Sequence, residues 1–102
     1  MKSKKNNRKN IDDLIVEIMR LALKVNRETS SDVFLNFSGH VNSIDIEINY
    51  AGWETRKDYD LRESFYIDDD KLSPDRFEKC GKIIAKLEEL MEEKNNNERA
   101  KE

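Results

Sequence analysis

A chain of 102 residues with 22 acidic and 19 basic side chains, net charge −3, is long enough for one small domain and hardly for two. Charged residues make up 40% and apolar ones 36%, against about 25% and 45–50% in ordinary globular domains, so the core must be small. A membrane span is excluded, because no run approaches ~18 apolar residues. The lysine-rich start has no apolar stretch of the kind a secretory signal needs, and the one cysteine excludes an internal disulfide and suits a cytoplasmic protein.

Residues 1–9 carry five basic side chains and no acid, which leaves a net charge of −8 on the remainder. This arm and the polar stretch 94–102 have nothing to bury, and both are expected to be disordered around a single domain over 10–93. The first element is a helix from about Asn10 to Arg27. Asn10 can cap it, and Asp12 and Asp13 sit where the helix dipole favours anions. Ile11, Leu14, Ile15, Ile18, Leu21, Ala22 and Val25 form its apolar stripe, which Val16, Met19 and Leu23 widen, so it is expected to be the most buried helix.

After a polar break the period changes to two. Val33, Leu35 and Phe37 mark a first strand, residues 38–43 a hairpin turn, and Ile44, Ile46, Ile48 and Tyr50 a second strand whose other face is acidic or wet. A third strand is expected within 59–68, where Tyr59, Leu61, Phe65 and Ile67 share one parity that Glu63 interrupts. Ser73, Pro74 and Asp75 signal the start of a closing helix that runs to about Glu93 and buries Phe77, Cys80, Ile83, Ile84, Leu87, Leu90 and Met91. The expected fold is α+β: helix, a two- or three-stranded antiparallel sheet, helix, with both helices on one sheet face.

Little in this pattern points to catalysis. Nucleophilic chemistry would have to join Cys80, on an apolar helix stripe, with His40, in a turn of another element. One Cys and one His fall short of a zinc site. Asp68, Asp69 and Asp70 lack the alternating spacing and glycine of a calcium loop, and no glycine-rich phosphate loop is present. The chain is therefore expected to be a non-enzyme with neither cofactor nor metal.

What remains is surface. Between Asp45 and Asp70 lie nine acids, Asp45, Glu47, Glu54, Asp58, Asp60, Glu63, Asp68, Asp69 and Asp70, against Arg56, Lys57 and Arg62. Asp45 and Glu47 share a strand face about 6.8 Å apart, twice the ~3.4 Å phosphate rise along one DNA strand. With Asn49 beside them, and with Trp53, Tyr59 and Tyr66 as aromatic anchors, they form an acidic face suited to a basic, nucleic-acid-binding groove on a host protein. Two alternatives use other surfaces: the basic arm as a nucleic-acid contact, against which the absence of a reading motif weighs, and self-association into a homodimer through the closing helix or a hairpin edge.

Ile11-Asp12-Asp13-Leu14-Ile15-Val16-Glu17-Ile18 resembles the opening helix of small phage-encoded anti-CRISPR proteins that block type II-A effector nucleases. The order that follows, an acidic antiparallel sheet and a closing helix, is similar too. The resemblance implies a non-enzymatic phage or prophage accessory protein acting in a bacterial cytoplasm. It implies a DNA mimic that offers carboxylates to the arginine pocket with which a CRISPR effector nuclease reads its PAM.

Overall fold

The computed structural model describes residues 10–51 and 59–101. Their order is α1 (Ile11–Glu28), β1 (Asp32–Ser38), β2 (Ser43–Asn49), β3 (Leu61–Tyr66) and α2 (Arg76–Lys101). The three strands form one antiparallel sheet in the order β1-β2-β3. The expected α+β architecture is thus observed, with three strands rather than two. The basic arm lies outside the described residues, and no described helix is long and apolar enough to cross a membrane.

Local chemistry sets the element ends. The Asn10 side chain accepts the Asp13 N–H at 2.9 Å and caps α1. At its other end, the Thr29 N–H and hydroxyl both donate to the Val25 carbonyl, which satisfies an otherwise orphaned acceptor. The β1–β2 hairpin turns over Gly39–Asn42, with Asn42 in the left-handed region at φ 51°, a conformation its short polar side chain tolerates.

Register places the two sheet faces. Ile44, Ile46 and Ile48 lie across from Phe37, Leu35 and Val33 on β1 and from Phe65, Glu63 and Leu61 on β3. This face packs against both helices: the buried core joins Ile18, Leu21, Ala22 and Val25 of α1 to Val33, the three β2 isoleucines, Phe65 and Ile67, and to Cys80, Ile83, Leu87 and Leu90 of α2. The opposite face carries Phe34, Asn36, Asp45, Glu47, Arg62, Ser64 and Tyr66.

Four expectations need correction. Val16, Met19 and Leu23 do not widen the buried stripe; they are 66%, 43% and 43% exposed, because α2 and the sheet pack on the other side of α1 and an open cleft separates Val16 and Met19 from Leu35 and Phe37. The α2 helix starts at Arg76, and the Ser73 hydroxyl accepts the Tyr66 N–H at 2.8 Å, tying β3 to the helix start. Phe77 is exposed, with the Arg76 guanidinium 5.0 Å from its ring centre, instead of buried. Residues 94–101, expected to be disordered, continue α2. No Gly or Pro interrupts them, and extending an existing helix is far cheaper than nucleating one.

Candidate functional site

The helix-free sheet face brings the central members of the expected acidic set together, but as a bonded network. Asp45 accepts a hydrogen bond from the Ser64 hydroxyl and another from Arg62 Nε at 3.1 Å. The same Arg62 nitrogen lies 3.3 Å from Glu47. Cross-strand register explains the cluster, since Asp45 faces Ser64 and Glu47 faces Arg62. Glu47 is only 8% exposed even though it lies on the open face. Phe34 flanks it on β1 and Arg62 on β3, and Tyr59, edge-on to Phe34 with centroids 6.0 Å apart, hydrogen-bonds its carboxylate.

The two carboxyls respond in opposite ways. Burial opposes the charge of Asp45, but the hydrogen bonds from Ser64 and Arg62, with the one it shares with Glu47, outweigh it and hold Asp45 below the usual carboxylate range. Burial, then the shared hydrogen bond and the charge of Asp45, push Glu47 above it, against Arg62 and Tyr59. The face therefore offers one well-ionised carboxylate and one that is shielded and reluctant to ionise. Tyr59 is raised as well, by burial and by the charge of Glu47.

The other expected site residues divide by place. Asn49 is buried at the end of β2, with its Oδ1 lacking a hydrogen-bond donor. Glu63 points to the helix side, across from Ile46, and accepts from Lys82 Nζ at 2.7 Å; its parity made it a core position, and α2 supplies the cation that satisfies it there. Asp60 accepts the Tyr50 N–H at 2.7 Å and closes the β2–β3 end of the sheet. Asp68 accepts from Asn42, Asp69 caps the Lys71 and Leu72 N–H groups, and Asp70 pairs with Arg76 at 2.5 Å. Trp53 and Asp58 lie outside the described residues, as do Glu54, Arg56 and Lys57.

Sequence reasoning missed Phe34, whose parity opposite to Val33 and Leu35 already placed it beside Glu47. It also counted Arg62 only as a charge subtracted from an acidic run, although Arg62 bridges the two central carboxylates. It missed a cleft of about 490 Å³ at the N-terminal end of α1, where Val16 and Met19 meet Leu35 and Phe37, with Asp12 and Asp68 at its edge. Cys80 is fully buried and its thiol is pushed up to about 11 by burial. It lies buried in α2, whereas His40 is exposed in the β1–β2 turn. Among the described residues, no group of three or more His, Cys, Asp or Glu is arranged to hold a metal ion. Compared with known proteins, the chain matches no family model, no curated protein and no solved structure.

Proposed function

We propose that this protein acts by binding rather than by catalysis: it is a phage or prophage accessory protein of the anti-CRISPR kind. It inhibits a bacterial nucleic-acid-handling protein by occupying that protein's basic groove. The observation that carries this reading is the position of Asp45. It sits at the middle of the helix-free face between Asn36 and Ser64, held ionised by Ser64 and Arg62. Phe34 and Tyr59 lie one pair along beside Glu47, and Tyr66 lies one pair along in the other direction, across from Ser43. A fixed carboxylate needs no ordering on binding, and aromatic neighbours supply the desolvated contact area that most binding hot spots require. Asp68, Asp69 and Asp70 extend the anionic surface beyond the end of β3. Glu47, Glu63 and Asn49 support the fold in this reading and do not contact the partner.

The test is an inhibition titration against a purified type II-A effector nuclease loaded with guide RNA, with target-DNA binding as the readout. The expected result is loss of DNA binding at near-stoichiometric protein, relieved by salt because exposed charges are screened. Asp45→Asn combined with Tyr66→Ala should weaken inhibition about tenfold or more while leaving the circular dichroism spectrum unchanged. DNA binding that persists at all protein concentrations would remove the reading.

A further inference from the structure

The flank of α1 that the domain leaves open is patterned in a way that neither the core nor the proposed inhibitory face uses. Asp12, Val16, Met19, Leu23 and Arg27 follow one another at steps of four, three, four and four residues. At 3.6 residues per turn they fall within roughly 80° of arc. Their common side faces away from the residues through which α1 meets α2 and the sheet, Ile18, Leu21, Ala22 and Val25. Three large apolar side chains in a row, all exposed, are unusual on the outside of so charged a chain. The apolar strip continues into the cleft that Phe37, itself 58% exposed, helps to wall.

The charges around this strip are divided by sign. The N-terminal half of α1 carries Asp12, Asp13 and Glu17; the C-terminal half carries Arg20, Lys24 and Arg27, with Glu28 at its very end turned away from the strip and toward Lys94 of α2. The helix dipole accounts for the charges at the two ends, but it gives no reason for Val16, Met19 and Leu23 to be exposed between them. A second copy of the same helix does. When two α1 helices run antiparallel about a two-fold axis between Met19 and Arg20, Val16 of one meets Leu23 of the other. Asp12 then meets Arg27, at both ends of the contact. Such an isologous contact needs a self-complementary surface, and this one complements itself in both apolarity and charge.

We infer that α1 is a homodimer interface, with two copies packed antiparallel through Val16, Met19 and Leu23 and closed at each end by an Asp12–Arg27 ion pair. Leu23 of the second copy covers the mouth of the cleft beside Val16. The two helix-free sheet faces stay open in the dimer, which would then present two copies of the acidic face. The inference is independent of the function proposed above, since it uses none of the residues on that face.

Sedimentation velocity or light scattering of the full chain tests it, up to about 1 mM so that weak association is still seen. The expected mass is that of two chains. Met19→Glu should weaken association by about a hundredfold or more, because it removes the central apolar contact and puts a desolvated carboxylate in the apolar strip. Asp12→Arg and Arg27→Asp, each alone, place like charges together at both ends and should be monomeric. Mixed in equal amounts, these two variants should form a heterodimer, because each then faces the opposite charge. Circular dichroism of each variant checks that α1 is intact, and recovery in the mixture is a second readout that misfolded chains could not give. A wild-type chain that is monomeric throughout the range would overturn the inference. So would a dimer whose mass is unaffected by all three substitutions.

Discussion

Asp45 and Glu47 stand two positions apart on one strand and titrate in opposite directions, and this gives each a different relation to stability. The folded state lowers the pKa of Asp45, so its contribution is present above the unfolded carboxylate range and is lost as pH falls through the lowered value. The folded state raises the pKa of Glu47, so its contribution is largest when it is protonated and fades as pH rises through the raised value. Glutamine imitates the protonated form. Glu47→Gln is therefore expected to match the wild type near pH 4 and to exceed it at pH 7 by about 1 kcal/mol or less, Arg62 being exposed and its attraction for Glu47 screened. Asp45→Asn should behave in the opposite way, costing about 1–2 kcal/mol at pH 7 and progressively less in acid. Urea denaturation at several pH values measures both. A stabilised Asp45→Asn, or a Glu47→Gln penalty that grows with pH, would reverse the assignment of roles.

At the scale of elements, the sheet edges show how local bonds close what the strand pattern leaves open. The Ile48 carbonyl accepts the Asp60 N–H, so Ile48 turns its peptide groups toward β3 and its β1 partner Val33 turns its own toward the free edge. Asn26 covers both of these groups: its Nδ2 donates to the Val33 carbonyl at 3.0 Å and its Oδ1 accepts the Val33 N–H at 2.7 Å. On the other edge, Lys79 Nζ donates to the Ser64 carbonyl and the Ser73 hydroxyl accepts the Tyr66 N–H. Covered edges resist unwanted strand pairing. Asn26→Ala should cost about 1–2 kcal/mol and speed amide exchange at Val33 while leaving Ile46 protected; equal protection at Val33 in the variant would show that the bonds are dispensable. The elements themselves were largely legible in the sequence, because α1, β1 and β2 each repeat one period cleanly and Asn10 marks a helix start. Less legible were features that depend on a distant partner. Glu63 reads as a break in β3 until Lys82 is beside it, Ser73 reads as a cap until Tyr66 takes its hydroxyl, and Val16 reads as core until the two covered sides of α1 are known. The acidic face was legible as a face, since period two fixes the side on which Asp45 and Glu47 emerge. The bridging by Arg62 was not, because it depends on β2–β3 register.

At the scale of the molecule, stability rests on a core that, among the described residues, joins fourteen buried apolar side chains from all five elements and the segment after β3. A domain of this size is stable by about 5–15 kcal/mol, so single core contacts weigh heavily. Leu87 is fully buried in α2, and Leu87→Ala should cost about 2–5 kcal/mol by loss of burial and the cavity left behind. Val16 is exposed in the single chain, and truncating it there should change stability by less than about 0.5 kcal/mol. These two substitutions separate the domain's own stability from what association adds, because association stabilises by mass action and chain-internal contacts do not. In thermal unfolding across a hundredfold range of protein concentration, the wild-type midpoint should rise with concentration. Leu87→Ala should unfold at lower temperature and keep the same concentration dependence, since α1 remains available to a second copy. Val16→Ala should unfold at the wild-type temperature when dilute and lose part of the rise when concentrated. A midpoint independent of concentration in all three chains would mean that the open flank of α1 adds nothing to the stability of the fold.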